Sequence, residues 1–117
     1  MIHMTDCLFC KIVQGTIPAK KVHDDELCIG FHDINPQAPV HVLFVPKRHI
    51  ATTNELIPED RELIGHLTLA AAKYAWSQGF ADGGYRLVMN CNRDAGQTVF
   101  HVHLHVLAGR QLMWPPG

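Results

Sequence analysis

His101-Val102-His103-Leu104-His105-Val106-Leu107 is the stretch that decides the fold of this 117-residue chain. Histidines alternate with apolar residues, and this period of two predicts a strand with one polar and one apolar face. Val102, Leu104 and Val106 would face the core, while the three imidazoles would share the opposite face. We expect this last strand to span about 99–108.

Three imidazoles on one strand face would lie within about 7 Å, because a strand rises by about 3.3 Å per residue. Neutral imidazole is a good nucleophile near neutral pH, where histidine also gains and loses its proton. Such a patch can hold a nucleophile, a proton donor and phosphate-binding donors. Two other interpretations stay open, namely the polar side of a half-exposed strand and a zinc site made by the three histidines.

The remaining pattern predicts a small α+β domain. Apolar spacing indicates a short helix over Cys7–Gln14 that stops at Gly15, and a long helix from about Pro58 to about Gly79. Four more strands are predicted, at 21–23, 26–33, 40–45 and 85–91. Short connections favour antiparallel pairing, so we expect an antiparallel sheet of about five strands with one long and one short helix.

The composition is that of an ordinary globular domain. Apolar residues make up 47% of the chain and no repeat or composition break divides it, so residues 1–117 are expected to form a single domain. A formal net charge of −1 argues against bulk attraction to nucleic acid or an anionic membrane. No apolar run approaches a bilayer span, and the first ten residues lack the pattern of a secretory signal. We therefore expect a cytoplasmic protein.

Cys7 and Cys10 form a Cys-x-x-Cys pair at the start of the predicted short helix. Thiolates at this spacing can share a tetrahedral metal ion with two histidines. The alternatives are two buried free thiols on one helical face and a redox pair, which is disfavoured because the surrounding pattern is not βαβ. Cys28 and Cys91 lie in predicted strands and are expected to be core residues.

The histidine motif resembles the signature of the histidine-triad (HIT) family, which residues 101–107 match at every position. His105 argues against the galactose-1-phosphate uridylyltransferase branch, which has glutamine there. The closing Trp114-Pro115-Pro116-Gly117 is typical of the nucleotide-binding Hint branch, so the resemblance covers nearly the whole chain from Cys7. Further matching segments are 31–34, 36–41, 46–50, 95–100 and 109–111.

The resemblance implies a hydrolase of purine nucleoside 5′-phosphoramidates, such as adenylate joined to an amine or to a lysine side chain. The middle histidine is the family's nucleophile, so His103 would attack the α-phosphorus and release the amine. Water would then hydrolyse the nucleotidyl-histidine. His105 would hold the phosphate or donate to the leaving amine, and His41 would lie behind the nucleophile and fix its tautomer. This chemistry requires no metal.

Other family positions would bind the purine nucleotide, of the adenosine or guanosine monophosphate type. Asp33 would accept hydrogen bonds from the ribose hydroxyls, and Ile34 would pack on the base. Asn90 would contact the phosphate or the ribose. Gln97 and Thr98 would donate to phosphate oxygens, although the family commonly has serine at the second of these positions.

Gly96 and the C-terminal tail also have expected roles. Gly96 either allows an unusual backbone angle or lets a phosphate approach closely. In Hint homodimers the C-terminal segment reaches the partner's active site, so the resemblance implies a homodimer in which the tail, residues 109–117, brings Trp114 to the leaving-group side.

Many bacterial relatives hold a structural zinc ion with such a cysteine pair, the histidine after the Pro-Lys segment and the first triad histidine. The resemblance therefore implies a zinc site made of Cys7, Cys10, His49 and His101. His101, the first of the catalytic triad, would then stiffen the triad strand instead of acting as a base.

Two alternatives to the phosphoramidase stay open on the sequence. One is a non-catalytic purine-nucleotide-binding or scaffold protein of the same fold. The other is a dinucleoside polyphosphate hydrolase of the fragile-histidine branch, which the Trp-Pro-Pro-Gly ending disfavours.

Overall fold

The structure, a computed structural model, describes residues 6–117, so the first five residues of the expected domain lie outside it. None of its helices is both long enough and apolar enough to cross a membrane. The described elements, in chain order, are α1 (Leu8–Gln14), β1 (Lys21–Asp24), β2 (Cys28–His32), β3 (Val40–Pro46), α2 (Arg61–Ser77), β4 (Arg86–Val88) and β5 (Leu104–Ala108).

The five strands form one antiparallel sheet in the order β1-β2-β3-β5-β4. β3 lies in the middle and is buried on both faces, which explains why its sequence is apolar apart from His41. The predicted α+β class, with about five antiparallel strands, one short helix and one long helix, is confirmed.

Each face of the sheet packs against one helix, because consecutive strand residues point to opposite faces. The α1 side buries one apolar cluster: Cys7, Phe9, Cys10, Ile12, Ile29, Phe31, Leu43 and Val45. The α2 side buries another: Cys28, Val42, Phe44, Leu67, Ala71, Ala75, Leu104 and Val106. The odd-numbered residues of β2 and β3 therefore face α1, and so does His105, which pairs with Leu43.

Helix α1 begins and ends as the sequence predicts. The Cys7 thiol accepts the backbone N–H of Cys10 at 3.4 Å and so caps the first turn. Gly15 follows the helix with a φ of 80°, a left-handed conformation that glycine adopts without a steric penalty.

Helix α2 starts one turn later than predicted. Residues Pro58–Asp60 form a 3-10 turn, and the α-helix begins at Arg61. The Asp60 carboxylate accepts the Ile57 backbone N–H at 3.0 Å and also pairs with Arg48, which fixes this turn.

The predicted strand over 99–108 is wrong in its first half, because β5 begins only at Leu104. Pairing with β3 ends at Phe44, two residues before Pro46, and a proline has no N–H to extend the ladder. The Pro46 carbonyl instead meets the His101 imidazole Nε2 at 2.8 Å. His101 and His103 therefore precede the strand, and only His105 lies in it.

β4 is likewise shorter than the predicted strand at 85–91 and forms one edge of the sheet. Cys91 consequently lies beyond the strand and is only half-buried, whereas Cys28 is fully buried as expected. Arg86 in β4 also holds the C-terminal segment in place. Its guanidinium donates hydrogen bonds to the carbonyls of Leu112 (3.3 Å) and Met113 (2.9 Å).

A substitution at Gly30 in β2 tests how tightly the α2 side of the sheet is packed. A Cβ at this position would lie 2.8 Å from the Phe44 ring and 3.2 Å from the His23 Cβ. Gly30→Ala should therefore lower the free energy of unfolding by roughly 1–3 kcal/mol through overpacking. Gly65→Ala is the matched control, because nothing lies within 4 Å of its Cβ position in α2, and it should raise stability by up to about 1 kcal/mol. Urea unfolding of both variants checks this, and equal effects would contradict it.

Candidate active site and metal centre

A cleft of about 970 Å³ opens on the α1 side of the sheet. Five of the predicted nucleotide-binding residues line it, namely Asp33, Ile34, Thr98, His103 and His105. Its apolar wall comes from α1 and the segment after it, with Leu8, Phe9, Ile12, Ile17, Pro18 and Ala19. The cleft therefore joins polar groups from β5 and the loop before it to an apolar surface large enough for an aromatic ring.

His103 lies in the floor of this cleft and is buried, with 6% of its surface exposed. Its Nδ1 lies 2.7 Å from the His101 carbonyl oxygen, which can only accept, so Nδ1 carries the proton and Nε2 carries the lone pair. The Phe9 ring packs against it in a T-shaped arrangement, at a centroid distance of 5.0 Å. Burial lowers the pKa of His103, which keeps the imidazole neutral.

His41 and His105 form a hydrogen-bonded pair beside it. The Gln37 backbone N–H donates to His41 Nδ1 at 3.0 Å, so the His41 proton lies on Nε2. This Nε2 lies 2.9 Å from His105 Nδ1 and 3.5 Å from Asp33 Oδ2, and we assign its N–H to His105. His105 then carries its own proton on Nε2. Burial lowers the pKa of His41 and lowers that of His105 to about 4.

The expectation that His41 lies behind the nucleophile requires a correction. His41 is hydrogen-bonded to His105, and the His103 tautomer is fixed by the His101 backbone carbonyl instead. The reason is register: His41 pairs with Leu107 across β3 and β5, which makes His105 its diagonal neighbour on the same face.

Gln97 also differs from its predicted role as a phosphate donor. Its side-chain NH₂ already donates to the carbonyls of Ala51 (2.8 Å) and Val99 (3.1 Å), and its Oε1 accepts the Asn92 N–H at 2.8 Å. Gln97 therefore fixes the loop before the triad. Gly96 has a φ of 84° and ends the preceding 3-10 turn, which supports the backbone interpretation of this glycine.

Two other predicted nucleotide-binding residues do not line the cleft within the described chain. Asn90 follows β4 and is half-buried. Trp114 has 81% of its surface exposed, beyond the segment that Arg86 holds. One chain therefore brings Asp33, Ile34, Thr98, His103 and His105 to the cleft, but neither Asn90 nor the C-terminal tail.

Cys7, Cys10, His49 and His101 come together at the start of α1, as predicted, with all four ligand atoms within 4.8 Å of one another. The His101 Nδ1 lies 3.4 Å from Cys7 Sγ, 3.5 Å from Cys10 Sγ and 3.2 Å from His49 Nδ1. Cys10 Sγ lies 3.2 Å from His49 Nδ1. A zinc tetrahedron with its usual bond lengths has edges of about 3.3–3.8 Å, so this donor set fits zinc.

The surroundings of this cluster also suit a metal centre. The second ring nitrogen of His101 is held by the Pro46 carbonyl at 2.8 Å, as ligating histidines commonly are. Without a metal, burial lowers the pKa of His101 to about 4, and burial together with Cys7 raises the pKa of Cys10 to about 11. Without a metal, a neutral His101 imidazole and a neutral Cys10 thiol would therefore face each other here, and a zinc ion would favour the thiolate form of its cysteine ligands.

Sequence reasoning missed the apolar wall of the cleft and the contact of Phe9 with the triad. The Cys-x-x-Cys pair predicts only a metal-binding role or a core role for α1. Leu8 is 40% exposed although it is apolar, and apolar residues resume at Ile17 beyond the glycine that ends α1. This continuation was the available signal for a second role of the segment.

The chain belongs to the histidine-triad family, because the model of the HIT domain matches residues 14–112. An uncharacterised HIT-like protein of Synechocystis sp. is 50% identical over 112 residues, which cover 96% of this chain and 97% of that protein.

Solved structures agree with this assignment. A HIT family hydrolase from Legionella pneumophila superposes with a TM-score of 0.94 at 52% identity, covering 95% of this chain and 99% of that one. A histidine triad nucleotide-binding protein from Candida albicans has a TM-score of 0.79 at 32% identity, covering 93% and 82%.

The lowered pKa of His105 predicts how the free energy of unfolding depends on pH. Between about pH 4 and the ordinary value of 6.5, the unfolded chain binds a proton at this histidine and the folded chain does not. The free energy of unfolding should therefore fall as the pH drops through this window, and the fall should be smaller in His105→Gln. Urea unfolding over that range measures it. His32→Gln, at an exposed histidine, should keep the wild-type pH dependence, and an unchanged slope in His105→Gln would refute the assignment.

Proposed function

We propose that this protein is a purine nucleoside phosphoramidase that acts through a nucleotidyl intermediate on His103. The observation that carries the proposal is the pair of hydrogen bonds that assigns opposite tautomers to two neighbouring imidazoles, whose ring centroids are 5.0 Å apart. His103 presents a lone pair at Nε2, whereas His105 presents an N–H at Nε2, because their Nδ1 atoms are bound to an acceptor and a donor respectively.

This pair suits a displacement at phosphorus followed by hydrolysis. The anionic phosphate of a bound substrate favours uptake of one proton by the pair of His105 and His41. His103 Nε2 then attacks the α-phosphorus, the phosphorus–nitrogen bond breaks, and the leaving nitrogen takes that proton from His105 Nε2, which leaves the pair neutral. Water then cleaves the bond between His103 and phosphorus and returns a proton to the pair formed by His105 and His41. The products are the free amine and a nucleoside monophosphate.

The rest of the cleft suits a nucleoside. Asp33 is half-buried at its edge, where its carboxylate can accept from ribose hydroxyls. Ile34, with 98% of its surface exposed, offers an apolar face to a base, and the apolar wall from α1 lies across the cleft. The Legionella relative is described as a hydrolase and the Candida relative as a nucleotide-binding protein, and both descriptions agree with this proposal.

Two parts of the proposal concern assembly. We propose a homodimer whose C-terminal tail supplies Trp114 to the partner's cleft. Met113 and Trp114 are 68% and 81% exposed in one chain, which leaves both side chains available for such a contact. The cytoplasmic location expected from the sequence stays a prediction.

His103→Ala tests the reaction directly. Turnover of an adenylate–amine conjugate should fall by roughly a thousandfold or more, as when a nucleophile is removed from an enzyme, while adenosine monophosphate should still bind. Mass spectrometry of quenched wild-type protein should map an adenylyl group to His103. His66→Gln, outside the cleft, should retain full activity. Nucleotide binding by the wild type without turnover would instead establish the non-catalytic binding protein.

We also propose that Cys7, Cys10, His49 and His101 hold a structural zinc ion. Such an ion supplies a rigid tetrahedral crosslink between α1 and the segments before β5 and after β3. No step of the reaction is assigned to it. His101 thereby holds the carbonyl that fixes the His103 tautomer, which is a supporting role for the first triad histidine.

Cys10→Ser should remove the zinc and lower the melting temperature. Metal analysis of the purified protein should find one tightly held zinc ion in the wild type and none in Cys10→Ser, because hydroxyl oxygen is a poor replacement for thiolate. Cys91→Ser is the matched control, since Cys91 lies outside the cluster, and it should keep the ion. Equal zinc content in both variants would rule out this centre.

A further inference from the structure

A second group of metal-ligand side chains lies on the α2 side of the sheet, on the face opposite the cleft. His23 comes from β1, Asp25 from the turn after it, Cys28 from β2, and His66 from the second turn of α2. One ligand atom from each lies within 4.8 Å of all the others. Neither the proposed reaction nor the zinc centre uses these residues.

The cluster is centred on one carboxylate oxygen. Asp25 Oδ2 lies 2.5 Å from His23 Nε2 and 2.7 Å from His66 Nε2. Asp25 Oδ1 accepts the backbone N–H groups of Leu27 (2.7 Å) and Cys28 (2.9 Å). The backbone thus orients the carboxylate, and its second oxygen points to where two imidazoles from different elements converge.

This donor set is that of a divalent transition metal. Two imidazole nitrogens and one carboxylate oxygen suit zinc, cobalt, nickel and copper ions, and leave positions open for water. The three side chains are 32%, 28% and 35% exposed for His23, Asp25 and His66, so an ion can reach them from solvent. Cys28 is fully buried and its thiol donates to Asp25 Oδ2 at 3.5 Å, which places it behind the carboxylate.

Neighbouring charges leave these ligands available. Asp24, the adjacent carboxylate, is occupied by Lys47 at 2.8 Å and Lys21 at 3.3 Å, so it does not compete for the ion. A bound ion would replace the protons of the two hydrogen bonds to Asp25 Oδ2. The distances from this oxygen to His23 Nε2 and His66 Nε2 would then widen to about 3.3 Å. Side chains that are about one-third exposed can make that adjustment by small rotations.

We propose that His23, Asp25 and His66 form a second metal site, which binds a divalent ion of the zinc class with water completing its coordination. The ion ties the β1–β2 hairpin to α2, and binding therefore stabilises the folded chain. With no thiolate ligand, this site binds zinc more weakly than the centre at Cys7 and Cys10. It fills only after that centre is loaded.

The test uses the full chain with its tight zinc in place, titrated with further zinc chloride by calorimetry. The wild type should take up a second equivalent and gain melting temperature, whereas His23→Gln, Asp25→Asn and His66→Gln should bind that equivalent at least about tenfold more weakly. His32→Gln removes an exposed histidine outside the cluster and should keep it. Cys10→Ser should lose the tight ion but not the weaker one.

A measurement on the wild type alone makes the test independent of how the variants fold. In histidine-selective NMR, the imidazole signals of His23 and His66 should shift with the second equivalent, and those of His103 and His105 should not. No second equivalent at millimolar zinc, or unchanged uptake in both His23→Gln and His66→Gln, would overturn the proposal. Phosphoramidase activity of His66→Gln should equal that of the wild type, so failure of this site and failure of the proposed reaction are distinguishable.

Discussion

The register between β3 and β5 is the constraint on which the rest of the structure depends. His41 pairs with Leu107 and Leu43 with His105, which puts His41 and His105 on the α1 face and Val106 on the α2 face. A shift by one residue would exchange the faces, burying His105 under α2 and exposing the apolar residues to the cleft. Such a shift would bury a polar imidazole and expose apolar side chains, so it costs free energy. The same strand pairing therefore sets both the core packing and the geometry of the site.

Buried polar atoms are costly without a hydrogen-bond partner, and backbone groups supply one partner each to His41, His101 and His103. Every buried side-chain nitrogen or oxygen among the described residues has a hydrogen-bond partner. The carbonyl of His101 and the N–H of Gln37 are rigid parts of the backbone, so each dictates one tautomer. Burial then keeps these histidines neutral at physiological pH. The protein obtains two chemically different imidazoles from one residue type because their backbone neighbours differ.

Helix α1 links the two centres on its side of the sheet. Cys7 and Cys10 contact His101, while Phe9 between them packs against His103. These contacts span more than ninety residues of sequence, as the separation of 94 between Cys7 and His101 shows. Loss of the proposed zinc ion would therefore loosen the ring that we propose as nucleophile.

The sequence by itself determined the order of the elements, the antiparallel α+β class and the four residues that cluster at the start of α1, because these depend on local periodicity and on a family motif matched position by position. It did not determine where β5 begins, since the missing N–H of Pro46 acts on a segment more than fifty residues away. Only the tertiary structure decided that His41 forms a hydrogen bond with His105 and that the Gln97 side chain bonds to backbone groups around its loop. It also decided that His23, Asp25 and His66 lie together. The first and the last of these depend on strand register or helix docking, which bring together groups that are far apart in the sequence.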